Sequence, residues 1–274
     1  EVQRGPKILI KSPSAIGGVI NVIRNEIPQE VPAAINLKLG GFGESSNKGW
    51  LGSGVVILPL KPFALRLEGS FRRTSDLKTP IGTLKNSDIK TINLAGGFSI
   101  VRKWGFAGFS IREYQTDYGI PGGFVGAHPN GVDISMLKRQ YTFKLHYKIE
   151  SKFLDHIDLD AARTYYKHTE YESANVIGAE FRILDYNLFA NLLHNETGIF
   201  NSGTFGVSFE TRNFNIGGYV FTPPVNSYNT AAYVSEELRA SDNLSIEFSG
   251  RFDNNLIKPQ QQVQLANLDT VYQR

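Results

Sequence analysis

Cysteine is absent from the 274 residues. That excludes a disulfide scaffold, a thiolate zinc site and a thiol nucleophile, because each needs the sulfur. Methionine occurs once, at Met136, and residue 1 is Glu. A surplus of one charge is missing too: 29 Lys and Arg stand against 26 Asp and Glu, for a net +3. The two signs are interspersed, so no nucleic-acid partner is expected. No window is apolar for about 18 residues, which removes a transmembrane helix, and no secretory leader is visible. Catalytic signatures are lacking as well: there is no Gly-x-Ser-x-Gly elbow, no His-Glu-x-x-His and no phosphate-cradling glycine loop. An enzyme is not expected, nor a cofactor.

What the chain does have is alternation. From Lys138 to Ile149 the odd positions Tyr141, Phe143, Leu145, Tyr147 and Ile149 are apolar, and every even position is polar. Phe63–Phe71, Phe205–Phe209 and Leu244–Phe252 repeat the pattern. A period of two marks a strand with one apolar and one polar face. Strands of soluble sandwiches average about 5–6 residues; these run roughly 11 to 16 and carry full charges along the polar face. An apolar outside and a charged inside suit a membrane barrel around a wet lumen. A soluble module would instead bury Phe143, Leu145, Phe205 and Phe248 in one core.

Eleven strands are read, at 33–42, 46–59, 62–75, 88–101, 104–117, 133–149, 154–168, 178–194, 201–213, 227–240 and 243–255. Their connections alternate between short (60–61, 102–103, 150–153, 195–200, 241–242) and long (76–87, 118–132, 169–177, 214–226), the first at 43–45 excepted. Outer-membrane barrels have short periplasmic turns and long extracellular loops, which assigns the short gaps to the periplasmic side. Such barrels are even-stranded in single chains, and plugged transporters have about 22 strands. About half a wall is expected, with two unpaired edges. The non-Met start and a last stretch, Asp269–Arg274, without a terminal aromatic make an internal fragment of a larger protein the expectation.

The first twenty-two residues read Glu1-Val2-Gln3-Arg4-Gly5-Pro6, then, after a variable stretch, Ala15-Ile16-Gly17-Gly18-Val19-Ile20-Asn21-Val22. By residue type this is a strand, a turn and a β-branched strand entered through paired glycines. As a pattern it resembles the end of the plug domain of TonB-dependent outer-membrane receptors. Where that family usually has an aromatic–Gly pair, this chain has Ile10-Lys11-Ser12-Pro13. The resemblance implies a plug tail over 1–30 carrying Arg4, Gly5, Pro6, Gly17, Gly18 and Asn21, and a truncated transmembrane β-barrel over 31–274. It implies residence in the bacterial outer membrane, contact with its lipid, a small-molecule or metal substrate, and an energy-coupling complex acting through an N-terminal box that this chain does not contain. Arg4 is expected to make a structural ion pair.

Candidate site residues lie near the presumed extracellular rim. His168, Glu170 and Glu172 fall on one face at spacing two, as the start of a divalent-cation site or as a solvated strand end. His156, Asp158 and Asp160 form a similar row at the periplasmic end, read as a solvated wall. Asp117, Tyr118 and His128 flank a Gly- and Pro-rich loop of the kind that often carries function. Asp117–Gly122, Tyr166-x-His168-Thr169-Glu170 and Phe221–Pro224 resemble the subgroup of these receptors that includes zinc-uptake receptors. Zinc receptors often carry a histidine-rich stretch after Ile-Pro-Gly, whereas this loop has His128 alone. Zinc or an iron chelate is the expected cargo. Lys138, Lys144, Lys148, Arg66, Arg72 and Arg251 are placed on the lumenal face, where they line water or pair with plug carboxylates. Trp50, Trp104, Tyr114, Tyr118, Tyr147, Tyr165 and Tyr166 are expected near strand ends, several of them in an aromatic girdle.

Overall fold

A computed structural model describes residues 2–4, 8–11, 18–123, 128–218 and 222–260. Gly5, Pro6 and Gly17 lie outside the described residues. Two short strands, β1 (Val2–Gln3) and β2 (Val19–Ile20), pair antiparallel, with a one-turn helix α1 (Ile8–Lys11) between them in the chain.

The rest is one antiparallel meander. Its strands are β3 (Asn36–Glu44), β4 (Gly49–Leu60), β5 (Phe63–Arg73), then after a small hairpin β6 (Leu77–Thr79) and β7 (Gly82–Leu84), β8 (Ile89–Arg102), β9 (Gly105–Ile120), β10 (Val132–Lys148), β11 (Leu154–Ser173), β12 (Val176–His194), β13 (Phe200–Gly218), β14 (Val225–Ser241) and β15 (Leu244–Pro259). Eleven of them form one sheet in which each pairs with the next along the chain, the β6–β7 hairpin standing outside it. β3 and β15 are its edges. Sequence alternation located all eleven, with ends displaced by a few residues.

The register makes the two faces different chemical surfaces. Leu58, Leu65, Phe98, Phe109, Phe143, Ala161, Leu188 and Phe209 are successive cross-strand partners and form one apolar belt. One residue along, Gly97, Ser110, Thr142, Ala162, Asn187 and Glu210 form the matching row on the other face. Phe143, Phe205 and Phe248 are 37%, 51% and 44% exposed, so no packed core takes them. The accessible surface is 17400 Å², against roughly 12,000 Å² for a folded soluble monomer of this mass. An open sheet that leaves its apolar belt bare contributes to that excess. Among the described residues no helix is long and apolar enough to cross a membrane.

The apolar face ends where charge begins. Arg163 lies over the rings of Tyr141 (5.7 Å) and Tyr186 (5.9 Å), a cation–π arrangement at the edge of the belt. Beyond it Arg139 donates to Glu113 (2.6 Å), and Lys167 and Arg182 hold Glu180 at 2.9 and 3.0 Å. At the opposite end Trp104 packs on Tyr147 (5.8 Å). Aromatic residues at the borders of an apolar band are the girdle expected of a barrel wall.

Two connections depart from expectation. The segment read as a loop at 76–87 contains the β6–β7 hairpin, whose three-residue arms are too short to show alternation. It is stitched to the sheet by Asn86, which donates to the carbonyls of Ile120 (3.0 Å) and Val132 (3.1 Å). The long loop expected at 169–177 is instead a continuation of β11 and β12, closed by Ala174-Asn175 with Asn175 at φ 65.

Candidate functional site

The inner face is the one that the N-terminal segment lies against. Glu26, Ile27 and Pro28 are buried there. The close approach is possible because Gly97 and Gly108 stand opposite: a Cβ on either would collide with Glu26 or Ile27. Above this contact runs a line of alternating charges. Arg112 donates through Nε to Glu26 (2.6 Å), through Nη1 to Asn93 (2.6 Å) and through Nη2 to Glu68; Arg66 holds the other oxygen of Glu68 at 2.8 Å. Arg24 stands 3.7 Å from Glu26. The Arg112 and Glu26 side chains keep 12% and 11% of their exposure. Each charge is therefore largely out of water, and the attraction between them is correspondingly strong.

A second anchor ties α1 to the far end of the sheet. Arg251 points Nη1 at the carbonyls of Leu9 (3.4 Å) and Ile10 (3.3 Å), is neutralised by Asp253 (2.8 Å) and lies over the Tyr233 ring (5.3 Å). The free carbonyls at the end of a helical turn suit a guanidinium. Between the segment and the wall lies a cavity of about 390 Å³, lined by Asn21, Arg24, Glu26, Lys138, Gln140, Lys144 and Asp160 among others.

The expected lumenal cations are on this face, but most pair with the wall. Arg66 binds Glu68, Arg72 binds Glu44 (2.7 Å), Lys144 binds Asp160 (3.1 Å) and Arg251 binds Asp253. The cation that reaches a carboxylate of the N-terminal segment across the wall is Arg112, which sequence reasoning did not single out. Its partner is 86 residues away, and nothing local signals it. Arg4 is exposed, and no ion pair to it is present among the described residues, so the structural pair expected of it is not found. Gly18 is exposed, and Asn21 is half-buried at the cavity.

Asp117 and Tyr118 do not converge. They are consecutive residues of β9, so their side chains leave opposite faces. Asp117 accepts from Ser135 (2.8 Å) on the outer side, while Tyr118 shares the face of Arg112. His128 is half-buried in the following turn, its carbonyl accepting from the Gly131 amide (3.0 Å). These three residues are not one site.

The row His168–Glu170–Glu172 is also broken. His168 Nε2 lies 3.4 Å from Glu170 Oε1 without making a hydrogen bond, and Nδ1 faces the Tyr166 hydroxyl at 3.1 Å. Register shifts then fall at Glu170/Tyr171 and Tyr171/Ser173. The first leaves Gly178 of β12 as the extra residue and the second leaves Glu172 of β11, so alternation no longer sets the direction of Glu172. A Cβ on Gly178 would meet the Glu172 side chain at 2.8 Å. His168 is edge-on to Phe181 (5.6 Å), and among the described residues the three do not form a group with metal-ligating geometry.

The described residues do contain one cluster with metal-ligating geometry, at the short-turn end of the inner face. His146 and Asp158 are cross-strand partners, and His156 precedes Asp158 by two on the same face. His146 Nδ1 is 2.7 Å from Asp158 Oδ1, and His156 Nε2 is 3.3 Å from Oδ2. Reading along single strands missed His146, because its partner lies on the next one.

No family model matches the chain. Solved structures with the same architecture include the copper transporter OprC, with TM-score 0.74 and 15% identity, and the alcaligin outer membrane receptor FauA from Bordetella pertussis, with TM-score 0.69 and 11% identity. Each match covers 95% of this chain and 43% of the other. The chain therefore spans less than half the length of the solved structures it matches. At these identities the likeness is one of fold, and the fold of this chain is that of a partial TonB-dependent-receptor barrel.

Proposed function

We propose that this chain is part of a TonB-dependent transporter that carries a scarce nutrient, a metal ion, siderophore or similar chelate, across the bacterial outer membrane. Residues 1–30 are the end of its plug and 31–274 the first half of its barrel wall. The observation that carries this reading is the N-terminal segment docked on the charged inner face through Arg112–Glu26 and Arg251–α1. A passive pore has no use for a segment anchored across its lumen, and a soluble module would not leave a continuous apolar belt bare. The two similar structures, a copper transporter and an alcaligin receptor, favour a metal or its chelate as cargo. Energy coupling would act on the plug through a region N-terminal to this chain.

The test is uptake by cells that carry the whole protein, offered radiolabelled zinc, copper or ferric siderophore, with and without the energy-coupling complex. Accumulation that stops when the complex is deleted supports active transport. Equal, concentration-driven entry in both strains overturns it in favour of a passive pore.

A further inference from the structure

We infer that His146, His156 and Asp158 form a binding site for a first-row divalent transition ion (Zn²⁺, Cu²⁺ or Ni²⁺) on the lumenal wall, at the short-turn end. Two imidazoles and a carboxylate suit these ions rather than Mg²⁺ or Ca²⁺, which prefer oxygen alone. One ligand atom from each residue lies within 4.8 Å of the others. Bonds of about 2.0–2.1 Å to a tetrahedral ion set neighbouring ligand atoms about 3.3–3.4 Å apart. His156 Nε2 stands 3.3 Å from Asp158 Oδ2 and His146 Nδ1 stands 2.7 Å from Oδ1, so the two imidazoles face the two oxygens of one carboxylate. The shorter contact must open by about 0.6 Å to admit the ion.

Two features outside the ligand set hold it in shape. Asp155 Oδ2 accepts from Nδ1–H of His156 at 2.8 Å, which leaves the Nε2 lone pair aimed at Asp158. A carboxylate on the far nitrogen is how metal-bound histidines are commonly oriented. Asp155 can do this because the register slips between Leu154 and His156, so that it is the unpaired residue of a bulge. The His146 ring is held by Phe106, itself buried, in a stacked contact at 6.0 Å and 18°. Lys144 is engaged by Asp160 (3.1 Å) and so leaves Asp158 to the histidines. Three protein ligands leave a fourth position open to the lumen, where water or an incoming ligand can exchange. That this site serves as an exit-side station for a transported ion rests on the transport reading above; the site itself does not.

The experiment uses the whole protein extracted from outer membranes, stripped with chelator, reloaded with Cu²⁺ and examined by electron paramagnetic resonance. Its folding is checked by heat-modifiable gel migration. One tightly held ion with hyperfine splitting from two imidazole nitrogens is expected, falling to one nitrogen in His156→Gln and lost with the ion in His146→Ala/His156→Ala. Should the double variant not fold, the single His156→Gln spectrum still decides. No retained ion, or a spectrum unchanged in His156→Gln, overturns the site. Uptake by cells is a separate measurement, so loss of the site and loss of the transport reading are told apart.

Discussion

Two clusters of histidine and acid lie at opposite ends of β11, and they differ in how the chain assembles them. His168, Glu170 and Glu172 are spaced by two along one strand, and among the described residues they do not converge as one ligand group. His146, His156 and Asp158 come from two strands, and the structure gathers them. Backbone irregularity explains both outcomes. Two register shifts after Glu170 leave Glu172 the extra residue of a bulge and interrupt the row, whereas the single shift after Leu154 frees Asp155 to orient His156. Alternation along a strand is thus a good guide to which face a residue takes, and a poor guide to what it meets there. The His146–Asp158 contact is made across strands, and the Arg112–Glu26 anchor between a strand and the N-terminal segment.

The first way to sharpen this contrast is Asp155→Ala. The variant keeps all three ligands and removes only the group that orients one of them. Metal affinity of the folded protein should fall about 10- to 100-fold, read by competition with a chelator of known strength. An unchanged affinity would show that the bulge has no part in building the site.

The second tests the contact between the wall and the N-terminal segment. Arg112→Ala leaves Glu26 with Arg24 at 3.7 Å and Glu68 with Arg66. A hydrogen bond to a charged group contributes about 1.5–3 kcal/mol, and the remaining arginines recover part of it. Amide exchange over residues 24–27 should therefore quicken by roughly tenfold, with exchange in β12 and β13 unaltered. Equal protection in both proteins would mean that steric fit at Gly97 and Gly108, not charge, seats the segment.

Much of this architecture was legible in the residues. Alternation over Phe63–Phe71, Lys138–Ile149 and Leu244–Phe252 placed strands and their faces, because an apolar–polar period of two has one structural meaning when it persists for ten residues. The β6–β7 hairpin was not legible: three-residue arms contain no period. The extension of β11 and β12 to Ser173 and Val176 was hidden by the bulges at Gly178 and Glu172, since a bulge interrupts the phase of the pattern. Asp117 and Tyr118 flank one Gly- and Pro-rich loop, but as neighbours in a strand they leave opposite faces. Arg112 and His146 looked like ordinary members of a polar row; register, which strand periodicity does not contain, is what gives them partners.

The smallest expected effect is also the most discriminating. His168→Ala and Glu172→Gln remove two members of the row that the linear pattern favours, and neither should change metal affinity by more than about twofold. His168 faces the Tyr166 hydroxyl and the Phe181 ring, and its Nε2 stands 3.4 Å from Glu170 without a hydrogen-bond partner. Its loss costs aromatic packing at the long-loop end and leaves the ligands around Asp158, some ten residues down the same strand, untouched. At about 3.3 Å of rise per residue the two clusters are separated by roughly 30 Å, well past one Debye length of about 8 Å, so even their charges act independently. A tenfold loss of metal in His168→Ala would therefore place a bound ion at the wrong end of β11 and return the linear row to consideration.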